Sequence, residues 1–385
     1  METDSGRGVR RGYSRAPGAT EAARQLYEQI YDHEAGLTVF FCSSDYDLPA
    51  LERELNDRFA HIPLIGCTSA GEITPAGYMT GGIVGFSLPK RDFVSVAAPI
   101  RSLRNFSIAE GRDIVRDLRA ELDEAAAGLP SDKTFAFLMI DGLSKCEEMV
   151  LSAITSALDE IPMFGGSAGG GLTFQRSYVF HDGRFSSDAA VLALVRTRLP
   201  FTLFTKDHFV SSGMKMVVTD ADPLARIVSE INAEPASQEY ARLLGLNVKN
   251  LTPMIFATHP VVVKVGGRYY TRSIQKVNED ESLTFFCAID KGIVLTVAVG
   301  TDLLENTQNL FDEISNEIGV PQLVIGCECI LRGLELDEKR LKDAVGELFA
   351  RNNVIGFGTF GEQYHAMHVN HTFTGVAIGF GSDPG

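Results

Sequence analysis

The chain has 385 residues, 45% of them hydrophobic, and 50 acidic against 35 basic side chains give a formal net charge of -15. That length exceeds what one hydrophobic core usually organises, so two domains are expected, and a body of that charge disfavours nucleic acid and anionic membrane as partners. The longest apolar runs, at 189–195 and 293–299, fall far short of the roughly 20 residues that span a bilayer, which excludes a transmembrane helix.

The first 20 residues carry Arg7, Arg10, Arg11 and Arg15 among Gly and Ser, with no apolar run behind them. They read as a solvated, disordered arm and not as a secretory leader. From 21 to 200 an α/β domain is expected, with strand patterns at 38–42, 82–88, 93–98, 135–140 and 189–195. Ser107 and Glu110 form a capping box that opens a helix through Ile114, Val115, Leu118 and Leu122, ended by Gly128 and Pro130. A second helix is expected at 147–158.

After Leu199-Pro200 the pattern changes, and 201–385 is expected to form a second domain of mixed α+β character. It should open with a strand at 215–218 and a helix at 224–231, the latter started by Asp222-Pro223. Strands at 261–265, 268–272, 283–288 and 293–299 follow, with Gly266-Gly267 and Asp290-Lys291-Gly292 as hairpin turns. Helices return at 303–318 and 338–350. The six cysteines, Cys42, Cys67, Cys146, Cys287, Cys327 and Cys329, are scattered and mostly lie in apolar runs, as small core hydrophobes in a reducing cytoplasm do. Cys327 and Cys329 share a strand face, but no second cluster completes a zinc site.

One internal echo runs through the chain. Ile65-Gly66-Cys67-Thr68-Ser69-Ala70-Gly71-Glu72 resembles Phe164-Gly165-Gly166-Ser167-Ala168-Gly169-Gly170, and Ile355-Gly356-Phe357-Gly358-Thr359-Phe360-Gly361-Glu362 is a looser third copy. Each ends one strand at a Gly-bearing turn, which suggests an internally repeated strand–Gly-turn unit. None has the Lys-Ser/Thr of a phosphate-binding loop, and the second leads into a strand-like Leu172-Thr173-Phe174, so tight chain reversal is the stronger reading. Gly165-Gly166-Ser167-Ala168-Gly169 also spells a nucleophile elbow, yet the helix that an elbow needs is not expected after it, and a serine hydrolase ranks third among the functions considered.

His365, His368 and His371 are spaced by three, but Val369, Thr372, Phe373 and Thr374 favour a loop entering a strand, where His368 and His371 face opposite sides. A lone histidine among apolar residues is instead a candidate axial ligand of haem iron, and His368 or His208, between Phe204 and Phe209, answers that description. Arg272 and Arg332 end apolar runs and are candidates for pairing a carboxylate, with a salt bridge as the simpler reading.

Taken together, the chain after its arm resembles the FIST sensory family, with a FIST N and a FIST C domain. The likeness rests on Phe40-Phe41-Cys42-Ser43-Ser44, the two Gly turns from Ile65 and Phe164, Glu230-Ile231-Asn232-Ala233-Glu234-Pro235-Ala236 with Tyr240, Gly361-Glu362-Gln363, and His368-Val369-Asn370-His371-Thr372. Ala233 and His371 depart from the family's usual Gly and Gln. The resemblance implies a signal-input protein, closest to the nitric-oxide-sensing branch that binds haem b; it fixes no haem ligand, so the expected site, drawn from His368, His208, His371, Arg272 and Arg332, rests on the residues themselves, as does the expectation of a cytoplasmic protein without enzymatic activity. The alternative is a haem-free sensor of a small metabolite such as an amino acid. Either form would act on a separate histidine kinase or cyclic-di-GMP enzyme, and a homo-oligomer is compatible with both.

Overall fold

Three stretches of chain run through a similar order of elements, the third with an inserted region and an extra helix, in the computed structural model, which describes residues 8–171 and 174–381. The first comprises β1 (Arg10–Ser14), α1 (Ala19–Ile30), β2 (Ala35–Ser43), α2 (Leu48–Arg58), β3 (Leu64–Ser69), a short hairpin of β4 (Glu72–Thr74) and β5 (Gly77–Met79), and β6 (Ile83–Pro89). The second comprises β7 (Phe93–Arg101), α3 (Ile108–Ala125), β8 (Thr134–Asp141), α4 (Glu147–Leu158), β9 (Met163–Ala168), a hairpin of β10 (Val179–His181) and β11 (Arg184–Ser186), and β12 (Ala189–Thr197).

The third stretch begins with β13 (Phe201–Lys206) and is interrupted by an inserted region. That insert holds β14 (Phe209–Asp222), β15 (Ile227–Ile231), β16 (Glu234–Pro235), α5 (Ala236–Leu243), α6 (Pro253–Thr258), β17 (Val261–Val265), β18 (Arg268–Arg272), β19 (Ile274–Val277), β20 (Leu283–Phe285) and β21 (Val294–Gly300). The stretch resumes with α7 (Leu303–Ile318), β22 (Leu323–Cys329), α8 (Ile330–Glu338), α9 (Lys342–Arg351), β23 (Val354–Thr359), a hairpin of β24 (Glu362–Tyr364) and β25 (Met367–Val369), and β26 (Phe373–Ile378).

Each stretch builds a four-stranded sheet, in the orders β1-β6-β2-β3, β7-β12-β8-β9 and β13-β26-β22-β23. Each sheet has one parallel pair, β2 with β3, β8 with β9 and β22 with β23. Its open edge is then closed by a hairpin from another stretch: β10–β11 joins β3, β24–β25 joins β9 and β4–β5 joins β23. The two halves of the chain therefore exchange strands, and the link at 198–200 between β12 and β13 does not separate independent sheets. The inserted strands form their own antiparallel sheet, β18-β17-β21-β14-β15-β20-β19.

Burial on both faces explains the near-continuous apolar runs of the parallel strands. All nine residues of β2 and all eight of β8 are buried. Inward, the three sheets share one core in which Phe41 stacks on Phe357 at 4.2 Å and Phe137 on Phe164 at 4.6 Å. Outward, α1 and α2, α3 and α4, and α7 with α9 cover the first, second and third sheets. Each fully buried Phe contributes about 1.5–3 kcal/mol, so this arrangement is held chiefly by packing.

The three Gly-bearing turns meet where the sheets converge. Ala70 N–H donates to Gly358 O at 2.8 Å, Gly169 N–H to Thr68 O at 3.0 Å and Phe360 N–H to Ser167 O at 3.0 Å. Those bonds close a ring through all three stretches.

The capping box of α3 is present, with Ser107 Oγ accepting from Glu110 N–H at 3.2 Å and the Glu110 carboxylate accepting from Ser107 N–H at 2.8 Å. Several expectations need correction. Arg10 and Arg11 lie in β1, paired with β6, and α1 begins inside the expected arm, because tertiary pairing to Ile83–Pro89 outweighs the arm's polar composition. The expected helix at 224–231 is a turn followed by β15: Arg226 takes a left-handed φ of 61°, and Ile227, Val228 and Ile231 suit a strand. The expected helix at 338–350 is α9 alone, preceded by α8, and the short polar α2 was not foreseen. Leu172 and Thr173 of the expected strand lie outside the described residues.

Candidate ligand-binding site

A cavity of about 250 Å³ opens at the ring of turns. Its walls come from the carboxyl ends of strands in every stretch: Ser43 and Ser44 at the end of β2, Ser69 to Gly71 at the end of β3, Cys329 closing β22, Gly358 of β23, and Gly170 beyond β9. Carboxyl ends of parallel strands are where α/β sheets present ligand crevices, because the chain there leaves the sheet and exposes backbone polar groups. Gly71, at φ 138°, supplies a backbone conformation that residues with a Cβ rarely adopt.

Helix α8 forms the opposite wall. Ile330, Gly333, Leu334 and Asp337 line the cavity at spacings of three and four, the period of one helical face. Its other face is tied inward: Arg332 donates to Glu328 at 3.1 Å and to Thr307 of α7 at 2.6 Å. Glu335 pairs with His208, in the link leading into the inserted sheet, at 2.9 Å. Burial would raise the Glu335 carboxyl, but the hydrogen bond and charge of His208, together with Lys339 at 2.6 Å, carry it down to about 2.

Two acidic groups of the wall are internally paired. Glu328 holds Arg332 and accepts from Tyr78 Oη at 2.9 Å, while Asp337 holds Lys342 at 2.7 Å. Glu72 differs. It is 1% exposed and accepts from Ser69 Oγ at 2.5 Å and Gly82 N–H at 3.2 Å, both neutral donors. Burial, with the nearby charge of Asp45, holds its carboxyl up to about 7.

Family models for a FIST N domain and a FIST C domain match residues 36–234 and 236–365. The chain belongs to the FIST family. Its domains are sensor domains of signal transduction. An uncharacterised protein of Methanocaldococcus jannaschii, MJ1623, is 24% identical over 378 residues, which cover 88% of this chain and 72% of the relative. No helix among the described residues of this FIST protein is long and apolar enough to cross a membrane.

The five residues singled out from the sequence lie in a polar belt beside the cavity and do not line it. Arg272 donates to His368 O at 3.2 Å, and His371 Nδ1 lies 2.9 Å from Ser273 Oγ, so β18, β19 and the end of β25 are brought together. His208 and Arg332 belong to the α8 network. Burial pushes the His368 imidazole down, and it carries His371 down to about 3, so both are neutral at pH 7.

These histidines do not fit haem. His368 is 4% exposed, with Nδ1 3.3 Å from Gln363 and Nε2 3.3 Å from Phe286 O, and a Cβ at Gly361 would fall on its ring. His208 is 1% exposed and hydrogen-bonded to Glu335, and His371 is 0% exposed with its ring against Phe209 at 5.0 Å. An axial nitrogen must face an open pocket wide enough for the porphyrin, and close packing surrounds all three rings instead. His365 is exposed at the tip of the β24–β25 hairpin. Among the described residues no group of three or more His, Cys, Asp or Glu side chains is arranged to hold a metal ion.

Ser167 sits inside β9, 0% exposed, donating to Glu147 Oε1 at 3.2 Å and accepting from Gln363 Nε2 at 2.9 Å. A nucleophile elbow presents its hydroxyl at a turn before a helix, which this strand interior does not do. The sequence reading missed Glu72 and Gly333. The Glu that follows the first Gly turn was the available signal.

Proposed function

We propose that this FIST protein is a haem-free sensor of a small polar metabolite, held in the cavity between the Gly turns, the β4–β5 hairpin and α8. One observation carries the reading: strand ends from all three stretches converge on a single space lined by backbone polar groups, hydroxyls and carboxyls. The volume corresponds to about eight waters at ~30 Å³ each, the scale of a small metabolite.

Signal transmission follows from α8. A ligand against Ile330, Gly333, Leu334 and Asp337 bears on the same helix that holds His208 through Glu335, so displacement of the helix reaches the root of the inserted sheet. Output passes to a separate partner, and a histidine kinase or cyclic-di-GMP enzyme is the partner class the family reading favours.

Replacing Gly333 tests the site. A Cβ there meets nothing within 4 Å, so Gly333→Leu should fill the cavity without disturbing the helix. A metabolite library screened by thermal shift should give hits with the wild type that vanish in this variant. Hits that persist unchanged in Gly333→Leu would place the ligand elsewhere.

A further inference from the structure

The fold contains a second hairpin–helix interface, and there buried carboxylates are met by a guanidinium. Where β4–β5 docks on β23 and α9, the space toward α8 is open. At the corresponding place β24–β25 docks beside β8 and α4, and there a guanidinium from the inserted sheet fills the space. Arg226 donates to Glu147 Oε2 and Glu148 Oε2, each at 2.6 Å, and to Phe286 O at 2.5 Å. It is 3% exposed, on a left-handed backbone, and so is held inward by its surroundings. The polar chain continues from Glu147 to Ser167, Gln363 and His368. His368 occupies in β25 the register position that Tyr78 occupies in β5.

The open cavity has the acid without the cation. Glu328 and Asp337 are matched by Arg332 and Lys342, but among the described residues Glu72 forms no ion pair. Asp45, exposed beside it on the cavity wall, adds a second negative charge. A buried carboxyl with only neutral donors is costly to ionise unless a countercharge arrives.

We infer that the ligand is an organic cation, an amine or guanidine, whose charged end meets Glu72 with Asp45 at the cavity wall. This rests on the cavity being the sensor's binding site. Glu72 must lose its proton to hold the ligand, so binding releases a proton at neutral pH.

Burial also raises the Glu328 carboxyl across the cavity. Cys42 and Tyr46 are pushed up by burial, and across the cavity Glu328 with Arg332 and Asp337 with Lys342 are paired. With the Glu72 carboxyl raised to about 7, affinity should climb as pH rises, close to tenfold per unit below 7, and level above 8.

Four probes of similar size separate the possibilities by titration calorimetry and NMR: butylguanidine, butylamine, butylurea and butyrate. The cations should bind at pH 8, with butylguanidine at least about 30-fold tighter than its neutral isostere butylurea, the scale of a buried charge pair. Glu72→Gln should weaken butylguanidine by about 30-fold or more, and Asp45→Asn, at an exposed position that folding does not need, by about threefold. Heats measured near pH 6 in buffers of different ionisation enthalpy should report proton release in the wild type and none in Glu72→Gln.

Unchanged butylguanidine affinity in Glu72→Gln would overturn the assignment. If butylurea or butyrate binds at least as tightly as the cations, and Gly333→Leu abolishes that binding, the cavity remains the ligand site and the cationic ligand is refuted. If no probe perturbs the wild type differently from Gly333→Leu, the binding site itself is refuted, and the cation with it.

Discussion

The hairpin β4–β5 packs on α9 and leaves an open cavity toward α8, whereas β24–β25 packs on α4, where Arg226 fills the space. The turns that begin the two hairpins match. Glu72 and Glu362 both follow a Gly and both accept from a hydroxyl three residues earlier, Ser69 and Thr359. Glu362 also accepts from Thr372 N–H at 3.2 Å and Thr372 Oγ1 at 2.7 Å, and burial drives its carboxyl up to about 8. The difference teaches that the carboxyl alone does not mark the site. What distinguishes the two places is whether the inserted sheet reaches in.

The largest expected effect comes from emptying the filled interface. Arg226→Ala leaves Glu147, 1% exposed, without its cation, and breaking a buried pair on one side costs about 3–5 kcal/mol. The urea midpoint should fall accordingly, and adding Glu147→Gln should restore part of the loss. If Arg226→Ala unfolds within about 0.5 kcal/mol of the wild type, the guanidinium does not hold this interface together.

A smaller effect separates the two turn carboxyls by pH. A group whose folded pKa is raised binds its proton more tightly in the native state, so its stabilisation is full below the unfolded value near 4.5 and is lost as pH rises through the folded value. For Glu362 that window runs from about 4.5 to about 8. Glu362→Gln should flatten the curve there, and its stability relative to wild type should improve by up to about 4 kcal/mol between pH 5 and 8.5. Parallel curves for the two proteins would show that Glu362 is ionised throughout.

The strands that pair in parallel were legible because burial on both faces leaves unbroken apolar runs, as in Phe135–Ile140 of β8. The capping box of α3 was legible because its two hydrogen bonds are local. The exchange of hairpins was not, since β4 and β24 are three residues long and their partners lie almost 300 and 200 positions away, at Phe357 and Gly166. Histidines drew attention as potential ligands, but packing around Gly361 and Phe286 decides their surroundings, and neither signal is local to His368. Glu72 was quoted as part of a turn. Its importance depends on α8, more than 250 residues further on.

The smallest effect concerns Gly333, and it distinguishes a cavity kept open for a ligand from a packing defect. A glycine inside a helix costs about 0.8–1 kcal/mol relative to alanine, since it adds backbone freedom to the unfolded chain and buries nothing. Gly333 lies within α8, and its missing Cβ would meet open space, so no close approach of another chain segment requires glycine there. Gly333→Ala should therefore stabilise the protein by about 1 kcal/mol while taking volume from the wall that the ligand touches. Probe binding should weaken modestly, and Gly333→Leu should extend that trend to loss. If Gly333→Ala were instead destabilising, α8 would be packed more tightly at this point than an open cavity permits. If it stabilised the protein and left binding of every probe untouched, the cavity would be a void without a binding role.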